Sequence, residues 1–523
     1  MRSSQILMCV PCFAFAVGCS SSNGAGPAQN GGGPDASSVE PDAGEDGNGF
    51  ILDGSPQEAS VQPDAGTGPG TTACNGSIVP QFVTQNLTLT QACSPYHAPL
   101  PVLVGDAAND PVLTIEPGVT VTFASNAYLS IGMAQTAAAP GGLQAVGTVG
   151  SPIVLTSDAA SPSAGAWGGV YFNPSADATS VLSHATVTYA GQQFAPLLDT
   201  PVDLGSIYVD AGTASPLGNS TPLHILLSNL TVGYNGGSGI VFFGPYAGFA
   251  ASSGALTIPD WASGGYPIVI DPNSADTLPT TLATGSGHQG AIGILQEDQN
   301  RSGGGQHILI HDESWPAIPI PYEVDESGYS NTSSAGACGL FVDGTDSSTV
   351  TLTIAAPNTV EFGKPAAGGA CGIYVSQNQA GGRFIANGTA SAPIVFTSAQ
   401  AMAAPGDWSG VTVSADPPGA DFGTTSFAYC TFSYAAAATY GAPAGSSELY
   451  FDGFAACLPS GGPDTAGPPV TNCTFTNYAG CGIDGLDLLN EGTTYGAGTT
   501  GANGNTFTPA SGNSAGVCTQ TNC

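Results

Sequence analysis

Seven ionisable residues crowd into positions 297–313 of a chain in which only 8% of residues are charged: Glu297, Asp298, Arg301, His307, His311, Asp312 and Glu313, just ahead of Trp315. In an extended segment His307 and His311 fall on one side of the chain. Carboxylates beside an imidazole can pass protons to a substrate or hold a hard cation. Asp298, His307, His311, Asp312 and Glu313 are therefore the candidates for catalysis. The simpler reading is a solvated loop between two larger segments, since such clusters also serve structure. No cofactor is expected; Ca²⁺ is the one ion considered, and no motif supports it.

The elements that must position this cluster are written twice. LTIEPGVTVTF (113–123) is answered by LTIAAPNTVEF (352–362), SPIVLTS (151–157) by APIVFTS (392–398), and GAWGGV (165–170) by GDWSGV (406–411). HATVTYA (184–190) and NLTVGYNGGSGI (229–240) return as YCTFSYA (429–435) and NCTFTNYAGCGI (472–483), always in the same order. Leu113, Ile115, Val119, Val121 and Phe123 alternate with polar residues on either side of Pro117-Gly118, which reads as strand, turn, strand. What repeats is the packing pattern, because Ala355 stands where the first copy has Glu116. A repeat near 240 residues is too long for one solenoid turn, so each copy holds many turns. Trp167 and Trp408 recur at one point of the phrase and are expected to pack rather than to stack on a sugar.

Ahead of the repeats, residues 1–18 join one Arg to an apolar run and read as a secretory signal. Ala16-Val17-Gly18-Cys19 resembles a bacterial lipobox, which implies a lipid on Cys19. Residues 19–72 are Gly, Pro, Ser and Ala with eight acids and no base, the composition of a disordered tether. The folded part is expected as a first module over 73–325 continuous with a second over 326–523. It carries 30 acids against Arg301, Lys364 and Arg383, near −27. Nucleic acid and anionic membrane surfaces are poor partners for such a surface.

Ten cysteines follow the anchor, an even number in an exported chain, so disulfides are expected. Cys338 in GACGLFV and Cys371 in GACGIYV should meet if the two phrases share a column. Cys74–Cys93 and Cys518–Cys523 would close the two ends. Cys430 and Cys473 share a CTF phrase and would stack, leaving Cys457 and Cys481 for each other. No Cys/His spacing suits zinc.

The repeated phrases, with WPAIPIPYEV (315–324) between them, resemble the right-handed parallel β-helix proteins of the pectin-lyase-like superfamily, in particular exported bacterial lipoproteins that reuse such modules. The resemblance covers roughly residues 80–515. It implies an all-β solenoid of a single chain, with turns stacked ~4.8 Å apart. Enzymes of that superfamily cleave acidic polysaccharides with a Ca²⁺ site and a basic residue, or with clustered Asp. Here Gly287-His288-Gln289 and Asn109-Asp110 are only partial echoes of those motifs. The expected role is therefore non-enzymatic: adhesion, glycan binding or scaffolding by a cell-envelope protein. Its partners would be an extracellular glycan or surface protein, and it would touch the membrane only through its lipid. The address expected is the outer membrane of a Gram-negative bacterium. The alternative is a polysaccharide-active hydrolase or lyase. Labelling cells with a fatty-acid analogue should mark the wild-type protein and not Cys19→Ala; equal labelling of both would remove the anchor.

Overall fold

Short strands follow one another from Phe82 to Gln520, each bonded to a strand one turn earlier, one turn later, or both. The structure, a computed structural model, describes residue 74 and the segments 77–133, 139–192, 205–212, 222–285, 290–294, 306–325, 339–344, 349–364, 371–376, 381–414, 422–435, 447–452, 468–478, 480–486, 502–510 and 516–520. The leader, Cys19 and the tether lie outside them, as do Glu297, Asp298, Arg301, Cys338, Cys457 and Cys523. The strands pair in parallel throughout, as in Val112–Ile115 with Gly142–Val146 and Asn358–Phe362 with Ile394–Ser398. The only helical segments among the described residues are three short 3₁₀ turns. The architecture is a parallel β-helix, and its longest sheet runs through fourteen strands from Phe82–Val83 to Thr506–Thr508.

Alternation within each strand sends one side chain inward and the next outward, and the register stacks like on like. Val121, Leu155, Val187 and Val232 form one inward column, each at most 2% exposed. In the second half Phe396, Phe432, Phe475 and Phe507 stack nearly parallel, with ring centroids 4.9, 5.2 and 5.1 Å apart. Burying each such side chain is worth about 1.5–3 kcal/mol, repeated at every rung. Leu113 and Leu352 both sit in strands and face this core.

The repeated phrases mark the corners. His184 and Tyr189, Asn229 and Tyr234, Tyr429 and Tyr434, and Asn472 and Asn477 open and close four successive phrases in the left-handed region. Trp167 lies flat on Phe123 and Trp408 on Phe362, with centroids 4.1 Å apart in both. Their indole N–H groups donate to Thr188 O and Ser433 O. Both rings are fully buried and are packing residues. The following Gly169 and Gly410 turn at positive φ, where a Cβ would sit 2.5–2.6 Å from a carbonyl of the next rung. The W-x-G-V phrase therefore needs its glycine.

One arrangement differs from a simple doubling. In the first half the fourteen-stranded sheet contains Val170–Phe172, the strand that follows GAWG. In the second half it contains Asn358–Phe362 and Ile394–Ser398, while Gly410–Ser414, which follows GDWS, lies in a separate seven-stranded sheet. The change comes where Ile292–Ile294 pairs with Tyr322–Val324. Two strands, Gln306–Ile308 and Glu313–Trp315, intervene there, against the single strand Leu282–Thr284 one turn earlier. The second copy is thus rotated by one face about the stack.

The cysteines divide into bonded and free. Cys74 and Cys93 are joined, with Cα atoms 5.2 Å apart. Cys371 is disulfide-bonded, and the Cys338 expected for it lies outside the described residues. Two expectations are corrected. Cys518 bonds Cys481, with Cα atoms 5.9 Å apart, rather than Cys523, and Cys481 is thereby taken from Cys457. The reason is that Cys481–Leu486 and Val517–Gln520 are neighbouring rungs. Cys430 and Cys473 do stack, yet both are free and buried. Their sulfurs are directed to backbone carbonyls, Cys430 Sγ to Ala386 O at 3.1 Å and Cys473 Sγ to Thr471 O at 3.5 Å. The bonded pairs mark an oxidising, extracytoplasmic environment.

Two measurements check this packing. Trp408→Ala should lower unfolding stability by about 3–5 kcal/mol, read as the shift of the urea midpoint. Without reductant, an alkylating reagent should modify Cys430 and Cys473 only after unfolding, as peptide mapping would show.

Candidate functional site

The charged stretch at 297–313 ends at a strand whose alternation sets Glu313 apart. Glu313 opens the strand Glu313–Trp315 and is paired with Leu352, while Trp315 is paired with Ile354. Its carboxyl group thus enters an inward column and is only 2% exposed. Beneath it runs the 3₁₀ turn Pro272–Thr277, capped by buried Asp271, which accepts from Asn273 N at 2.8 Å. Asn273 Oδ1 accepts from Ile310 N at 2.7 Å, Glu313 Oε2 from Asp276 N at 3.3 Å, and Pro272 O from the Trp315 indole at 3.3 Å. Burial, and then the neighbouring Asp276, push the Glu313 carboxyl up to about 9. At neutral pH it is a carboxylic acid, so its 3.2 Å contact with His311 Nδ1 joins an imidazole to a neutral acid.

The other candidates point elsewhere. Asp312 is exposed and accepts from Thr351 N at 2.8 Å, tying one rung to the next. His307 stands opposite Leu340 in the strand Gln306–Ile308, and its side chain lies outside the described residues. Of the described candidates only His311 and Glu313 meet, and Asp312 turns away from them. Glu313 seals the core beneath the joint between the halves, and His311 covers it.

A second acidic group was not singled out by the sequence. Glu323 and Glu361 are direct register partners on the outward side of the longest sheet, and both are half-buried. Burial, and then Asp325 and Glu361, push Glu323 up to about 8. Burial also raises Glu361. Tyr266 donates its hydroxyl to Asp325 Oδ2 at 3.3 Å. Carboxyl groups on adjacent rungs, ~4.8 Å apart along the stack, with one kept protonated, can act as an acid–base pair. The signal was present in the repeat, where TVTF in the first copy becomes TVEF in the second.

The basic residues among those described, Lys364 and Arg383, are engaged in structure. Lys364 Nζ contacts Asp407 Oδ1 at 2.9 Å, and Asp407 Oδ2 accepts from Ser398 Oγ and Ala404 N. Burial alone would raise the Asp407 carboxyl, but the Ala404 N–H, Lys364 and Ser398 outweigh it and hold it below its ordinary range. Arg383 Nη1 donates to Gly382 O at 2.6 Å. Among the described residues no group of three or more His, Cys, Asp or Glu is placed to hold a metal ion.

The repeat seen in the coil is matched by a family model described as a pectate-lyase like beta helix domain, over residues 82–195 and again over 344–443. Those two stretches are similar to a pectate-lyase-like β-helix domain. Glu361 lies in the second matched stretch of this β-helix, whereas Glu313 and Glu323 lie in the joint between the two. No curated protein and no solved structure matches the chain.

The raised acids give the fold a direction of pH dependence. A carboxyl whose folded pKa lies above its unfolded value near 4.5 favours the folded state below that value. The contribution is lost as pH rises through the folded value. Glu323 and Glu313, at about 8 and about 9, should therefore lower stability between pH 5 and pH 9. The wholly buried Glu448, also raised by burial, acts in the same sense. Urea midpoints at pH 5 and pH 9 should differ in that direction, and Glu313→Gln should narrow the difference.

Proposed function

We propose that this protein is a cell-envelope lipoprotein, held by Cys19 on an acidic tether, whose β-helix is a rigid, non-catalytic binding module. Its role would be adhesion, glycan recognition or scaffolding outside the cytoplasm. The observation that carries this reading is the use of the described bases. Lys364 is spent on Asp407 and Arg383 on a backbone carbonyl, so neither stands free to abstract a proton from an acidic sugar. The chain's formal charge of −34 further disfavours a polyanionic substrate.

A second reading, a glycoside hydrolase, is favoured by one feature, the stacked Glu323 and Glu361. Incubating the purified protein with acidic and neutral polysaccharides separates the two. The binding module releases neither reducing nor unsaturated ends. Release of reducing ends that disappears in Glu323→Gln would replace it with the hydrolase.

A further inference from the structure

We propose that the binding reading, on which this inference rests, is carried in the first half by an uncharged outer face bordered by stacked tyrosines, and that its ligand is a neutral glycan. Two outward columns make the face. Thr120, Val154, Thr186, Thr231 and Thr257 follow one another rung by rung. Beside them run His97, Thr122, Thr156 and Thr188, with Thr188 Oγ1 donating to Thr156 Oγ1 at 2.9 Å. The members of both columns are half-buried or exposed, so nothing seals them from water. The neighbouring sheet differs: its outward Tyr171, Tyr208, Val241 and Val269 are all buried. Beyond His97 on the first of these rungs, no ionisable side chain stands in either column, although the chain has 38 acids.

The aromatic border lies where two of these strands end. Tyr189 follows Thr188, and Tyr234 follows Gly233, its register partner on the next rung. Their rings stack at 4.5 Å with 12° between planes. Tyr189 packs against the core, but Tyr234 lies on Tyr189 and is 55% exposed. At the same corner Trp167 N donates to Tyr189 O, and Gln192 N donates to Trp167 O. Gln192 also clasps the exposed Asn126, its Nε2 donating to Asn126 Oδ1 at 3.0 Å while its Oε1 accepts from Asn126 N at 3.1 Å.

Each part suits an uncharged sugar chain. An exposed phenol ring offers a face for the C–H side of a pyranose and a hydroxyl for its rim. Threonine hydroxyls and the Asn126–Gln192 amides are short, pre-positioned hydrogen-bonding groups that need little ordering on binding. Neither column has a lysine or arginine to pair with a uronate, and the chain's net charge repels one.

The left-handed backbone at Tyr234 makes the test clean. Its φ is 56°, a conformation that Asn adopts more readily than Tyr. Tyr234→Asn should therefore keep or raise the melting temperature while removing the ring. Affinity electrophoresis of the full chain in gels containing soluble β-glucan, xylan, galactomannan or polygalacturonate gives the readout. Wild type should be retarded by at least one neutral polysaccharide and not by polygalacturonate, and Tyr234→Asn should weaken that binding about tenfold or more. Equal retardation of the folded variant removes this site and leaves the binding-module reading in place. Retardation by polygalacturonate alone, or by none of the neutral polysaccharides, overturns the proposal. Shortening of the retained polysaccharide by the protein would instead remove the non-catalytic reading.

Discussion

Each interior rung of this coil is hydrogen-bonded to the one before and the one after, in parallel and in register. That constraint converts a property of one strand into a property of a whole column. Inward positions are therefore mostly apolar, because a polar group there loses water and needs a partner inside the coil, as Asn358 finds in Pro316 O. The core is accordingly a set of vertical files such as Val121–Leu155–Val187–Val232, and the aromatic file from Phe396 to Phe507 is the same device with larger side chains. Glu313 is an informative exception. It occupies an inward place opposite Leu352, and the fold tolerates it by keeping its proton and by setting the turn Pro272–Thr277 against it.

The same constraint governs the outside, where it separates structure from recognition. Outward columns either are buried, as at Tyr171 and Tyr208, or face water, as in the threonine columns of the first half. A covered column adds to the core, while an open one is a flat, repeating surface with nothing to hold in place. The described bases serve the coil itself. Lys364 reaches across rungs to Asp407 in GDWSGV, where the repeat also needs Trp408 for packing. Function in such a coil is therefore to be sought on its open faces and at its corners, away from the charged joint that dominates the sequence by eye.

How much of this was legible follows from which physics each residue obeys. LTIEPGVTVTF declares its strands and its inward residues because alternation is local, and Leu113, Val121 and Phe123 are all buried. Trp167 and Trp408 declare themselves as packing residues because they recur with their glycines. Glu313 misleads, since it keeps only His311 of its apparent companions, while Asp312 beside it turns outward to the backbone of the next rung. Glu323 and Glu361 were legible only as a Thr-to-Glu change in a repeated phrase, because their proximity spans a full turn. The cysteines show both outcomes: Cys430 and Cys473 stack as their shared phrase implies, yet hydrogen bonds to backbone carbonyls occupy the thiols.

By itself, then, the sequence determined the strand pattern, the inward and outward alternation, the duplication and the acidic character of the chain. These depend on neighbours two positions away or on composition. Only the tertiary structure decided which face each phrase occupies, which cysteines meet and which outward columns stay open. Those depend on how many strands close each turn, and at the joint between the halves one additional strand rotates everything after it by a face. A count of that kind has no local signature, because it is fixed by the closure of the coil and not by any single strand.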